Sequence, residues 1–98
     1  MLTENDIVIL TIDAPHTDRK VFTVGGTIDK IVENDAGEEV IYVTTFQGRM
    51  RFQGGKFYHP LFTAGPRSGS LALDEKRMEI FYPMTSAMRR LLTRFMPL

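Results

Sequence analysis

The stretch FQGRMRFQGGKFYHP, residues 46–60, writes Phe-Gln-Gly twice and carries Arg49, Arg51 and Lys56 with no acid. Its glycines punctuate short ring- and arginine-bearing runs, which is the pattern of a hairpin. Gln47-Gly48 reads as a two-residue turn and Gly54-Gly55 as a bend, leaving Arg49–Gln53 as a strand between two reversals. The two copies are no functional repeat, because this pairing sends Phe46 and Phe52 to opposite faces.

Working outward, Val, Ile, Thr, Phe and Tyr dominate residues 7–62 in short runs, the composition of strands. The first strand is expected at Ile7–Ile12 and the second at Lys20–Glu33, with a bulge or bend at Gly25-Gly26. Asn34-Asp35-Ala36-Gly37 fits a type I turn closed by a left-handed glycine, followed by a third strand at Glu39–Phe46. TAGPRSGS (63–70) reads as a loop and MEIFYP (78–83) as a last strand, while LALDEKRMEI (71–80) admits a hairpin or a short helix. From residue 85 the period changes. Met88, Leu91, Leu92, Phe95 and Met96 fall on one face of a helix over about residues 85–96, which Pro97 ends.

Opposing residues across the hairpins define two faces. One carries Ile28, Lys30, Val32, Val40, Tyr42, Thr44, Phe46, Arg49 and Arg51. The other carries Asp29, Ile31, Glu33, Glu39, Ile41, Val43, Thr45, Met50 and Phe52, and is expected to be the interior. A sheet apolar on both sides needs two covers, so the first face calls for the C-terminal helix or a partner. The expected fold is mainly β: a small, strongly bent antiparallel barrel or sheet of SH3-like or OB-like size, in one domain over residues 1–98, ending in one amphipathic α-helix.

The chain has no cysteine, which excludes disulfides and thiolate metal sites. Its first residues carry acids where a signal peptide would carry bases, and the apolar run Ile7–Ile12 is too short for a membrane span. A cytoplasmic protein with no membrane contact is expected. Formal charge is zero overall but unevenly placed. Residues 1–46 hold nine acids and three bases, and residues 47–98 hold three acids and nine bases. Such asymmetry marks a basic binding face, pairs two parts of one fold, or joins copies head to tail.

Motifs for chemistry fail on spacing. GRMRFQGGKF lacks the glycine and hydroxyl positions of a phosphate loop. Asp13, His16 and Asp18 in DAPHTD have no further convergent ligand. Ser68 in GPRSGS is not in a nucleophile motif. No enzyme activity, catalytic residue, metal or cofactor is expected. What remains is binding. The leading expectation is a non-enzymatic interaction module, an adaptor, inhibitor or assembly protein. It would self-associate or take a protein partner through Tyr42, Phe46, Arg49 and Arg51, with Met88, Leu91, Leu92 and Phe95 as a helix interface. The alternative is nucleic acid or a phosphorylated small ligand on the basic–aromatic stretch 47–67, through Lys56, Phe57, Tyr58, His59 and Arg67. The near-neutral sequence pI of about 6.7 weighs against nucleic acid.

Overall fold

The structure, a computed structural model, describes residues 1–14 and 20–81. Six strands follow one another in chain order: β1 (Ile7–Asp13), β2 (Val21–Glu33), β3 (Glu39–Thr45), β4 (Gly48–Gln53), β5 (Lys56–Tyr58) and β6 (Arg67–Leu73). Each pairs antiparallel with the next, and β6 returns to β1, closing a barrel. A seven-residue helix, α1 (Glu75–Phe81), follows β6. The mainly β, small antiparallel barrel read from the sequence is the observed fold.

The interior follows from strand alternation. In β1, Val8, Leu10 and Ile12 are buried while the residues between them are not. Val24, Ile28, Ile41, Val43, Met50 and Phe57 complete the buried cluster, with Phe22, Ile31, Phe52 and Leu71 packed against it. Phe52 and Phe57 face each other across the β4–β5 ladder with ring centroids 4.6 Å apart. Gly69 faces Ile12 across the closing ladder. A Cβ there would overlap the Thr11 carbonyl oxygen and come within 2.8 Å of Phe57 Cε2, so the Phe57 ring occupies the space that a side chain at 69 would need.

The Asn34–Gly37 turn holds the register expected of it: Glu33 opposes Glu39, Val32 opposes Val40, Ile31 opposes Ile41 and Lys30 opposes Tyr42. One residue further the register shifts, because a bulge inserts Asp29. Ile28 therefore points inward opposite Val43 and is fully buried, and the Asp29 carboxylate emerges on the outer face. This reverses the face assignment of both residues. The ladder passes unbroken through Gly25 and Gly26, where no bulge occurs. Gly26 is small for another reason: a Cβ there would sit 2.7 Å from Val43 Cγ1 and 2.9 Å from the Thr44 carbonyl oxygen.

The β3–β4 turn also differs from the expected one. Thr45 opposes Gly48, so Phe46-Gln47 is the two-residue loop and Gln47-Gly48 is not. Thr45 Oγ1 donates to the Gly48 carbonyl at 2.8 Å and accepts from Gln47 N–H at 3.2 Å, which selects this turn. The opposing residues change by two places, an even number, so Tyr42, Thr44, Arg49 and Arg51 still share the outer face.

Two further expectations are corrected. Arg67–Ser70, read as loop, lies in β6, where Gly69 and small serines suit the close approach to β1 and β5. Met78–Phe81, expected to begin a last strand at 78–83, lies in α1, the short helix that is one of the two readings of 71–80. Asp74 is the reason. Its N–H donates to the Ile7 carbonyl, ending β6, and its Oδ1 accepts from Arg77 N–H at 3.2 Å, capping the helix. The helix expected at 85–96, with Met88, Leu91, Leu92 and Phe95, lies outside the described residues, as do His16 and Asp18.

Candidate functional site

The outer face of β3 and β4 carries alternating rings and cations. Tyr42 sits between Lys30 on β2 and Arg51 on β4, its direct neighbours across the two ladders, with Arg49 diagonal to it. Lys30 Nζ lies 4.9 Å and Arg49 Cζ 4.8 Å from the Tyr42 ring centroid. Arg51 Cζ lies 4.2 Å over Tyr58, its partner on β5. Each ring holds a cation by its electron-rich face.

β5 is only three residues long and pairs with Arg51–Gln53, so beyond Tyr58 the chain leaves the ladder. The β5–β6 loop, residues 59–66, then forms the opposite wall. His59 fastens it. The Gln47 carbonyl can only accept, so His59 Nε2 carries the hydrogen and donates to it at 3.1 Å, while Nδ1 accepts from Leu61 N–H at 3.0 Å. Phe62 packs against the His59 ring at 5.3 Å, and Arg67 Cζ lies 4.9 Å over Phe62. Between the walls is an open cleft of about 360 Å³ lined by Tyr42, Arg49, Met50, Arg51, Tyr58, His59, Pro60, Phe62, Gly65 and Pro66.

The electrostatics are one-sided. Asp29, brought out by the bulge, pairs with Arg49 at 3.3 Å and accepts from Thr44 Oγ1. Among the described residues, no carboxylate pairs with Lys30, Arg51 or Arg67. Arg51 Nε is shielded from solvent and meets no acceptor, the one side-chain atom in that state among the described residues.

The structure thus unites residues that the sequence separates into two groups. Tyr42, Arg49 and Arg51 join Tyr58 and His59 in one cleft, and Arg67 flanks it behind Phe62. Phe46 stands apart at the tip of the β3–β4 turn, 87% exposed. Lys56 is exposed on the same outer face as Tyr58 but does not line the cleft. Phe57 is corrected: it is fully buried in the barrel core and offers no binding surface. Asp29 and the wall residues Pro60, Phe62 and Pro66 are additions. The sequence signals Lys30 through its pairing with Tyr42, but nothing in it signals the bulge that presents Asp29.

Among the described residues, no three His, Asp or Glu side chains converge as a metal site, and no helix is long and apolar enough to cross a membrane. Fold and site together define a small closed antiparallel β-barrel with a basic–aromatic cleft on its outer wall. No family model matches the chain, and neither does any of the curated proteins or solved structures compared with it.

Proposed function

We propose that the chain is a non-enzymatic interaction module whose cleft takes up an acidic segment of a protein partner. The observation that carries this reading is the set of cations, Lys30, Arg49, Arg51 and Arg67, each seated over a ring and, apart from Arg49, without a carboxylate partner among the described residues. Seating on a ring removes much of the freedom a long basic side chain would lose on binding, so the N–H forks meet a carboxylate at reduced entropic cost. Arg51 Nε would gain the acceptor it lacks after a small rotation of the guanidinium. The exposed apolar side chains of Phe46 and Leu61 lie on the two segments that His59 ties together, and they offer a protein partner contacts beside the charges.

A second reading is a phosphorylated small ligand or single-stranded nucleic acid. The cleft volume, about 360 Å³, lies in the small-ligand range. Base stacking fits less well, because cations already sit over the Tyr42 and Tyr58 rings that would serve as platforms.

Fluorescence anisotropy decides between them, using a labelled Glu-rich peptide and a labelled single-stranded oligonucleotide at low and physiological salt. The peptide is expected to bind in a salt-dependent manner, and Arg49→Ala with Arg51→Ala to weaken it about tenfold or more. Tighter binding of the oligonucleotide, lost in the same double variant, would favour the second reading. Binding of neither probe would refute an anion-binding cleft.

A further inference from the structure

Four of the chain's twelve acids lie within seven residues of one another. Glu33, Asp35, Glu38 and Glu39 cluster at the β2–β3 hairpin tip, and all are exposed. Among the described residues, none of these carboxylates pairs with a base. The tip is also well ordered by its own bonds. Asn34 Oδ1 accepts from Ala36 N–H at 3.0 Å and Glu38 N–H at 2.9 Å, and Asn34 N–H donates to the Glu38 carbonyl at 2.9 Å. A pre-shaped acidic knob and a pre-shaped basic cleft therefore occur in one molecule.

Among the described residues, the two do not pair within one copy. The ladder from Glu33–Glu39 to Lys30–Tyr42 is unbroken, and it holds the tip in the sheet that carries the cleft. Glu38 Oε1 accepts from Gln53 Nε2 at 3.5 Å, at the β4 end nearest the tip, and folding the tip further onto the outer face would break that ladder. We propose that the acidic segment received by the cleft is the β2–β3 hairpin tip of a second copy, so that copies join head to tail.

This inference rests on the reading of the cleft as a site for an acidic protein segment, and it names the partner. It accounts for a chain that is neutral as a whole yet divided into an acidic and a basic half. Val32, outward-facing beside the tip and 39% exposed, brings apolar surface to the contact, as Phe46 and Leu61 do beside the cleft. The contact joins two different surfaces, so a pair keeps one free knob on one copy and one free cleft on the other. The rotation between copies decides whether a closed ring or an open chain results.

Sedimentation velocity of the full chain over a concentration series tests the proposal. The expected result is a mass that rises with concentration and falls as salt is added. Charge reversal at the tip (Asp35→Lys with Glu39→Lys) or in the cleft (Arg49→Glu with Arg51→Glu) is expected to weaken self-association about tenfold or more. Mixing the two variants is expected to restore association that neither shows alone, since each supplies the surface the other has lost. Circular dichroism checks that the variants are folded, and the tip variant, at two exposed positions, serves alone if the cleft variant is not. A chain that stays monomeric while still binding the Glu-rich peptide overturns the head-to-tail contact and leaves the cleft reading standing. A chain that neither self-associates nor binds the peptide removes both. Self-association indifferent to the tip reversal assigns it to another surface and overturns the proposal.

Discussion

At the scale of single residues, the three phenylalanines of the central stretch have three different fates. Phe57 is in the core over Gly69, Phe52 packs against it at the edge of that core, and Phe46 stands in solvent at a turn. Truncating Phe57 leaves a cavity among Met50, Ile12 and their neighbours in the packed cluster, and Phe57→Ala is expected to cost about 3–5 kcal/mol. Phe46→Ala is expected to change stability by less than about 0.5 kcal/mol while weakening partner binding. Urea denaturation separates the two, and a large loss for Phe46→Ala would contradict its exposed placement. Composition cannot sort these rings, because all three lie in the same kind of local sequence. Phe46 and Phe52 were separable by strand alternation. Phe57 required the fifth strand, which the bend at Gly54-Gly55 only hinted at.

At the scale of elements, turns and bulges decide what each strand presents. The Asn34–Gly37 turn was legible because Asn and Gly supply the bonds and the left-handed backbone it needs; Gly37 has φ 81°. The glycine at 48 favours a Gln47-Gly48 turn by residue type, but the Thr45 hydroxyl holds the turn one residue earlier, at Phe46-Gln47, and Gly48 takes φ 114° just after it. The bulge at Asp29 had no signal at all, since nothing in its neighbours breaks the strand pattern. It nevertheless sets the charge of the site by placing a carboxylate against Arg49. Asp29→Asn removes that competitor and leaves an acceptor for the Thr44 hydroxyl. The expected outcome is tighter binding of the acidic peptide by a few fold, with a stability loss below about 1 kcal/mol because both side chains remain partly in solvent. Anisotropy and thermal unfolding check the two parts, and unchanged or weaker peptide binding would place the ligand away from Arg49.

At the scale of the whole molecule, the decisive event is closure of β6 onto β1, which joins residues far apart in sequence, Val8 with Leu73 and Ile12 with Gly69. Closure removes the free sheet edges that an open meander would expose. It also makes the topology strongly non-local. Refolding is therefore expected in milliseconds to seconds, and stopped-flow fluorescence of the tyrosines measures it; completion in microseconds would mean that closure is not part of the barrier. The strand-rich class, the turn at Asn34–Gly37, the shared outer face of Tyr42, Arg49 and Arg51, and the division of charge are all legible in the chain before it folds. Those features depend on residue type, alternation and local turn bonds, all written within a few positions of each other. Folding alone makes Arg67–Leu73 the closing strand, turns Ile28 inside and Asp29 outside, and brings Tyr58 and His59 to Arg49 and Arg51 across one cleft. Those outcomes depend on long-range pairing and on steric fit between distant segments, which local pattern does not encode.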